Sequence, residues 1–307
     1  MKRTIMMTAL VAVACLIGSC TKEGVYKPSE KISKIYQSTS QRGEFLDGNG
    51  VWQESFNEST PKALYQEWKW DGKKLMSITE YDDNEPFTTE FEYNGNRLEK
   101  ITNKAENGYA LVSYDGSVIS KIDAYTDGIL TGTITFTYDG KKVSKIVYAL
   151  ADGPVLDDKA PQQTRLFNVV NQLFTPINNE NITAMMQKGG RIGNGTMTFT
   201  WDGKNISQAV YTDGGYTSTY SYTYDNKKNP FKGFLLEYLE EPVSAASKNN
   251  VIKTEASYKG DGESFSTTTE TTYTYDGNWP VTCACTDNYV QPTYHNSYTT
   301  TTYIEYL

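Results

Sequence analysis

Residues 135–148, TFTYDGKKVSKIVY, contain the pattern that decides the fold. Thr135 and Thr137 alternate with Phe136 and Tyr138, and an Asp-Gly pair follows. Alternation with a period of two in β-branched and aromatic residues is typical of a half-buried strand. Glycine takes positive φ without steric strain, which a tight turn requires. The stretch is therefore predicted to form a β-hairpin.

The same pattern recurs along the chain. Clear copies are WDGKKLMSI (70–78), YNGNRLEKI (93–101), YDGSVISKI (114–122), YDGKKVSKI (138–146) and WDGKNISQA (201–209), and weaker ones are EKISKIY (30–36), YDNKKNPFK (224–232) and YDGNWPVTC (275–283). A sequence period of about 20–50 residues indicates a repeated supersecondary unit. Each unit is a hairpin, and a second turn leads into the next unit, so the chain is predicted to be an antiparallel meander.

The number of strands predicts how this meander closes. Counting the segments gives roughly 14–17 strands, whereas an open twisted sheet rarely exceeds about 10. A sheet with one apolar face must also bury that face. We therefore predict an all-β protein in which the meander of hairpins is rolled into a barrel or a strongly curved sheet. Tyrosine, phenylalanine and isoleucine should face inward, and threonine, serine and lysine outward.

The second strand of each unit departs from simple alternation. Val143 and Ile146 are three residues apart, which would place them on opposite faces of a regular strand. Either a β-bulge or a loop-edge position of the first aliphatic residue would bring both to the apolar side. The loop-edge position is the favoured interpretation. The lysines between the aliphatic pairs, Lys100, Lys121 and Lys145, are expected to face water.

The inverse arrangement would be a membrane barrel with apolar residues facing lipid. Two features favour a barrel in water instead. The predicted strands look shorter than the about 9–11 residues of a membrane strand. The C-terminal residue is Leu307 rather than the aromatic residue of outer-membrane barrels.

Two segments interrupt the repeat. Residues 157–195 occupy the place of two repeats, and their apolar residues Leu166, Val169, Val170 and Leu173 recur at helical spacing. This spacing predicts an amphipathic helical insertion over about 160–188 that plugs or caps the interior of the barrel. The second segment, 229–253, combines a short apolar run with an acidic cluster.

The N-terminus has the features of a bacterial lipoprotein signal. Lys2 and Arg3 precede a short apolar run, and IGSC (17–20) is similar to a lipobox. We expect residues 1–19 to be a signal peptide, residues 20–60 a lipidated tether with the first strands, and residues 61–307 the barrel domain. Cys20 is the predicted lipidation site and attaches the protein to a membrane. The alternative is an ordinary secretory signal with an incidental cysteine.

Composition restricts the chemistry that the protein can perform. The formal net charge is −8, which argues against nucleic acid as a partner, because such binding needs a basic surface. His295 is the single histidine, so a Ser-His-Asp triad and a histidine-rich zinc site are not expected. Cys283 and Cys285 are predicted to be two packed thiols. No cofactor is expected.

The Tyr-Asp-Gly units, together with YTYDNKKNPFKGF (222–234) and SKNNVIK (247–253), resemble a Bacteroidetes lipoprotein family of unknown function with a porin-like fold. The units alone are also similar to the YD repeats of Rhs-type proteins. The resemblance covers roughly residues 60–285. It implies an exported lipoprotein with a barrel-like fold, and it provides no catalytic residues.

Three functions fit these observations. The favoured one is a non-enzymatic binding scaffold of the cell envelope, anchored in the outer membrane, for a glycan or small ligand. Its candidate binding residues are Glu237, Glu240, Glu241, Trp70 and Trp201. An alternative is a structural or assembly subunit that docks on an outer-membrane protein. A third is a glycan-active enzyme that uses a carboxylate pair from the glutamate cluster.

Overall fold

The computed structural model describes residues 29–81, 86–103, 107–150, 195–232, 246–260 and 263–307. These residues form seventeen β-strands in one sheet. The strands are β1 (Ile32–Leu46), β2 (Trp52–Ser59), β3 (Ala63–Asp71), β4 (Lys74–Tyr81), β5 (Pro86–Asn94), β6 (Arg97–Asn103), β7 (Gly108–Asp115), β8 (Val118–Thr126), β9 (Ile129–Asp139), β10 (Lys142–Leu150), β11 (Thr196–Asp202), β12 (Asn205–Asp213), β13 (Tyr216–Tyr224), β14 (Val251–Gly260), β15 (Glu263–Asp276), β16 (Trp279–Gln291) and β17 (Tyr294–Tyr306). The predicted helical insertion at 160–188 lies outside the described residues.

The sheet closes into a barrel through its first and last strands. β1 pairs antiparallel with β17, from Ile32 opposite Tyr306 to Phe45 opposite Tyr294. The first part of β1 pairs on its other edge with β3, and every later strand from β3 to β17 pairs with its neighbours in the chain. β2 lies outside this ring and pairs with the second part of β1. The ring therefore has sixteen strands, and the predicted barrel is confirmed.

All the Tyr-Asp-Gly turns lie at one end of the barrel, because antiparallel strands return to the same end after every second connection. We call it the Asp-Gly end. Asp115 pairs with Val118, so Gly116 is the first of two central turn residues, and its φ is 57°. A type II′ hairpin turn needs glycine at this position. The start of β1 is at the same end, since Leu307 donates its amide to the carbonyl of Lys31 at 2.8 Å.

A β-bulge follows each of these turns and explains the spacing of the aliphatic residues. Lys69 pairs with Ser77 and Trp70 with Leu75, so Met76 has no residue opposite it. Equivalent register shifts occur in the hairpins β5–β6, β7–β8, β9–β10 and β11–β12. The extra residue turns Leu75 and Ile78, which are 0% and 2% exposed, to the same face. The favoured loop-edge placement was wrong: the first aliphatic residue lies within the strand, opposite the aromatic residue.

Aromatic and aliphatic side chains face inward as predicted, but the prediction that threonine and serine face outward was wrong for several buried threonines and serines. One hydrophobic cluster joins side chains from β1 to β17 inside the barrel. On the outer wall Lys100 pairs with Glu92 at 3.4 Å and Lys121 with Asp123 at 2.6 Å, and Lys145 is exposed. A charged side chain on a lipid-facing strand costs about 2–4 kcal/mol at the bilayer midplane. The outer wall therefore carries charged side chains, as predicted for these lysines. In the described part of the chain, no helix has the length and apolarity to cross a bilayer.

Candidate functional site

A ring of hydrogen bonds joins the hairpins at the Asp-Gly end. In each hairpin a tryptophan or tyrosine donates its side-chain N–H or O–H to a backbone carbonyl of the preceding unit, over distances of 2.6 to 2.9 Å. The donor and acceptor pairs are Trp70 to Ile32, Tyr93 to Leu75, Tyr114 to Leu98, Tyr138 to Ile119, Trp201 to Val143, Tyr224 to Ile206, Tyr273 to Val251 and Tyr306 to Pro280. We call this arrangement the aromatic ladder.

The ladder explains why the repeat uses tyrosine or tryptophan before the turn. These residues combine a large apolar ring with a distal donor, whereas phenylalanine has no donor. On β9 and β11, two residues before the ladder donor on the same inner face, the chain carries Phe136 and Phe199, which have no side-chain donor. Burial raises the pKa of Tyr93 and of Tyr306, so both phenols keep the proton that they donate.

The basic residues near the turns form a second set of contacts between neighbouring hairpins. The Arg97 guanidinium lies 5.1 Å from the centre of the Tyr114 ring and donates to the Gly116 carbonyl at 2.7 Å. Lys142 makes the same two contacts with Trp201, at 5.2 Å, and with Gly203, at 2.8 Å. A cation over an aromatic face contributes roughly 0.5–1 kcal/mol at an exposed site. The basic residue of the motif therefore joins one repeat to the next.

Replacing Tyr114 with phenylalanine tests the ladder. The ring remains and the hydrogen bond to Leu98 is lost, so we expect the free energy of unfolding to fall by about 1–2 kcal/mol. Urea denaturation measures the change, and Tyr109→Phe on the outer wall is the control. Equal stability of Tyr114→Phe and the unchanged protein would contradict a stabilising role for the ladder.

The structure places the predicted site residues in different parts of the protein. Trp70 and Trp201 lie on β3 and β11, on separate parts of the ring, and each uses its indole N–H in the aromatic ladder. They are not brought together into one groove. Glu237, Glu240 and Glu241, as well as Cys20, lie outside the described residues.

The segments 225–232 and 246–250 close the Asp-Gly end, and we call them the clasp. Asp225 accepts hydrogen bonds from the amides of Lys227 and Asn250, both at 3.0 Å, from Asn250 Nδ2 at 2.9 Å, and from the Tyr275 hydroxyl. Asn229 Oδ1 accepts from the Phe231 amide at 2.9 Å. These bonds explain the polar residues of the DNKKNPF and SKNN motifs as structural ones.

Phe231 extends from the clasp into the barrel. Its ring centre lies 6.4 Å from that of Trp68 on β3, and the two side chains are 1% and 4% exposed. β3 and the clasp belong to parts of the ring that are several strands apart. The clasp is therefore a plug of the Asp-Gly end whose apolar contact reaches across the barrel.

The inner face of the last strands is polar. Thr254, Thr271, Thr300 and Thr302 are 0% to 5% exposed and alternate with core residues, and we call these four threonines the polar wall. None of their hydroxyls has a hydrogen-bond partner in the structure. A buried donor or acceptor without a partner costs about 1–3 kcal/mol. These hydroxyls have almost no accessible surface, so neighbouring protein atoms enclose them.

Two thiols and one carboxyl group lie beside the polar wall. Cys283 and Cys285 are buried and are not joined in a disulfide, as predicted for two packed thiols. Asp287 follows on the same face of β16 and accepts a hydrogen bond from the Thr269 hydroxyl. Burial raises the pKa of the Asp287 carboxyl, and the bond from Thr269 acts in the opposite direction. Among the described residues, no group of three or more histidine, cysteine, aspartate or glutamate side chains is arranged to hold a metal ion.

The opposite end of the barrel carries exposed aromatic residues. The rings of Trp52 and His295 stack with centres 3.9 Å apart and an interplanar angle of 21°. Phe45, Val51 and Trp52 are 42%, 53% and 38% exposed. We call Phe45, Val51, Trp52 and His295 the tip. The tip was not predicted, because Phe45, Val51 and Trp52 lie in residues 20–60, which were assigned to a tether with the first strands. The available signal was a tryptophan directly after a loop.

Comparisons with known proteins give similarities but no family. No protein-family model matches the chain. Two curated proteins, the tRNA nuclease WapA of Bacillus subtilis and the tRNA3(Ser)-specific nuclease WapA of Bacillus spizizenii, are 34% identical over 107 residues, which is 35% of this chain. The chain spans 4% of the length of these relatives.

Two solved structures align with most of the barrel. They are porin-like proteins from Bacteroides uniformis and Bacteroides vulgatus, which cover 90% and 91% of this chain at 13% and 10% identity, with TM-scores of 0.49 and 0.39. The chain in turn covers 96% and 99% of theirs. The pairing of its own strands shows that this protein forms a closed barrel. The similarity to the two porin-like structures gives no information about its activity.

Proposed function

We propose that the protein is a non-enzymatic, lipid-anchored protein of the cell envelope that binds a glycan through the tip. The observation that supports this function is the stacked pair of Trp52, which is 38% exposed, and the half-buried His295. Flat aromatic rings with polar edges supply a large contact area for a ligand that is apolar on one side and polar on the other. The C–H face and the hydroxyl groups of a sugar ring have this character.

Charged side chains lie on the strands that carry the aromatic pair, and Glu44 is opposite His295 in the register of β1 and β17. Arg42 lies 2.8 Å from Glu44 and 3.2 Å from Glu54, on neighbouring strands β1 and β2. Their side chains are between 32% and 58% exposed, so they remain accessible to a ligand. These groups supply donors and acceptors for sugar hydroxyls next to the aromatic rings, as a specific binding site requires.

The direction of β1 fits both a lipid anchor on Cys20 and a binding site at the tip. β1 begins at Ile32 at the Asp-Gly end and runs to Leu46 at the opposite end. Ile32 lies twelve positions after Cys20, which limits the reach of the tether to roughly 40 Å, since an extended chain spans about 3.3–3.6 Å per residue. A lipid on Cys20 would hold the Asp-Gly end towards the membrane and direct the tip away from it.

The anchor is tested by replacing Cys20 with alanine. Without an acylated cysteine the protein loses its lipid chains, and we expect it to move from the membrane fraction to the soluble fraction of lysed cells. Cys15→Ala, in the same N-terminal segment, is the matched control and should stay with the membranes. Retention of Cys20→Ala in the membrane fraction would contradict the anchor.

The tip is tested by screening the protein on a glycan array and then replacing Trp52 with alanine. A central aromatic residue of an interface contributes about 2 kcal/mol or more, so we expect Trp52→Ala to bind the captured glycan more than tenfold more weakly. Leu111→Ala is the control, because Leu111 is also 38% exposed but lies on the outer wall. Equal affinity of Trp52→Ala and the unchanged protein, or no captured glycan, would reject this function.

Docking on an outer-membrane protein is a second candidate for the same surface. Within the described sheet, β2 pairs with β1 alone, so its other edge offers free backbone groups to an added strand. Phe45 and Val51 add apolar surface beside this edge. Loss of a co-purifying outer-membrane protein on Trp52→Ala, without any glycan binding, would favour docking.

A further inference from the structure

The two ends of the barrel differ in charge. Eight basic and six acidic residues lie in the four-residue connections at the Asp-Gly end, which are 71–74, 94–97, 115–118, 139–142, 202–205, 225–228 and 276–279. Three aspartates and no basic residue lie in the described hairpin connections at the opposite end, which are 46–52, 126–129, 213–216 and 291–294. The Asp-Gly end is therefore a basic surface on a protein whose formal net charge is −8.

Residues next to these connections add to the basic charge. Lys31 precedes β1 at the Asp-Gly end, and Lys232 and Lys248 belong to the clasp. The acidic residue beside them is Glu30. The excess of positive charge therefore extends from the turns to the clasp that closes this end.

Four of the cations are held at the rim of the Asp-Gly end. Each donates a side-chain N–H to the carbonyl of a turn glycine, and the pairs are Lys31 to Gly72, Arg97 to Gly116, Lys142 to Gly203 and Lys227 to Gly277. Each also lies 5.1 to 5.7 Å from the centre of an aromatic ring. Carbonyls and rings carry no formal charge, so these contacts fix the positive charges in place and do not neutralise them.

Three further lysines lie at the outermost points of their turns. Lys73, Lys141 and Lys204 directly follow the turn glycine, and we call them the apex lysines. All three are exposed, and in the described part of the chain no hydrogen bond, ion pair or ring contact engages their ammonium groups. The aspartate of each turn lies two residues earlier, at the end of a strand, and its side chain is shorter. The apex lysines are therefore free to meet an anionic partner outside the barrel.

The position of this surface indicates which partner that is. A lipid on Cys20 would hold the Asp-Gly end towards the membrane, because the tether leads into β1 at this end. Anionic headgroups attract lysine and arginine side chains that lie within about one Debye length of the membrane surface. The same headgroups repel the rest of an acidic protein. Charge and tether therefore favour the same orientation of the barrel.

We propose that the Asp-Gly end is a contact surface for anionic lipid headgroups, with the apex lysines as the contacting groups. The orientation rests on the lipid anchor proposed above. Salt screens such contacts, with a Debye length of about 8 Å at physiological ionic strength. The contact therefore orients the anchored barrel and does not replace the lipid on Cys20. The tip then faces away from the membrane.

The test is co-sedimentation of the mature chain, residues 20–307 with Cys20→Ala, with lipid vesicles. One set of vesicles contains phosphatidylglycerol and phosphatidylcholine, and the other contains phosphatidylcholine alone. We expect binding to the anionic vesicles only, at about 10 mM salt, where the Debye length is about 30 Å. Raising the salt to about 1 M shortens this length to about 3 Å and should release the protein.

Charge reversal then identifies the contacting surface. We expect Lys73→Glu/Lys141→Glu/Lys204→Glu to bind the anionic vesicles at least tenfold more weakly. The matched control, which changes the net charge equally, reverses three exposed lysines that point sideways from the outer wall, Lys69→Glu/Lys145→Glu/Lys259→Glu. It should retain most of the affinity. Equal melting temperatures of the two triple variants verify that both are folded.

Two results would overturn the proposal. One is equal sedimentation with anionic and neutral vesicles. The other is an equal fall in affinity in the two triple variants, which would assign binding to net charge alone. The chain tested here carries no lipid, so failure of this contact is distinct from failure of the anchor, which fractionation of cells measures.

Discussion

Replacing Phe231 with alanine is expected to lower the free energy of unfolding by about 3–5 kcal/mol, the range for a fully buried phenylalanine. Phe231 is 1% exposed and belongs to the single hydrophobic cluster of the barrel. It enters that cluster from the clasp and packs near Trp68. Alanine would leave a cavity at the Asp-Gly end, which the strands cannot fill because their aromatic residues are held in the ladder.

Equilibrium urea denaturation measures this loss. Phe45→Ala is the matched control, since Phe45 is 42% exposed at the tip. Substitution of an exposed side chain usually changes stability by at most about 0.5 kcal/mol. A loss below about 1 kcal/mol in Phe231→Ala would show that the barrel does not depend on its plug.

Replacing Asp225 with alanine is expected to be nearly as destabilising, at about 3 kcal/mol or more. Its carboxylate accepts four hydrogen bonds that join the two segments of the clasp to each other and to Tyr275. Each buried donor that loses its partner costs about 1–3 kcal/mol. Burial and the bond to Asp225 raise the pKa of Tyr275, so its hydroxyl stays protonated and would be left without an acceptor.

Thermal unfolding followed by circular dichroism measures the effect of Asp225→Ala. Asp115→Ala is the control, because Asp115 is an exposed residue directly before the glycine of a hairpin turn. We expect this control to unfold within a few degrees of the unchanged protein. Similar melting temperatures for the two variants would contradict a structural role for the clasp.

The aromatic ladder shows how far a repeat can be interpreted from the sequence. Alternating residues and Asp-Gly turns predicted the hairpins, the meander and the inward rings, because these depend on local backbone preferences and on burial of one face. The acceptor of Tyr93 is the carbonyl of Leu75, which lies on the preceding hairpin. A carbonyl is present in every residue, so no sequence pattern identifies it as an acceptor.

The bulge and the tip were missed for similar reasons. Both a bulge and a loop-edge position satisfy the spacing of Leu75 and Ile78, and only the register with Lys69 and Trp70 separates them. Trp52 contacts His295, which is far away in the chain, because β1 closes the barrel against β17 and pairs on its other edge with β2. Contacts between the two ends of a chain leave no local signal.

By itself, the sequence determined that this protein is a meander of Asp-Gly hairpins with an apolar inner face, because turn conformation and strand periodicity are properties of short segments. Only the tertiary structure decided that the ring closes through β1 and β17, that Phe231 plugs one end, and that four threonines face inward without partners. These features depend on which distant strands become neighbours. That choice is made by packing and hydrogen bonding of the whole barrel.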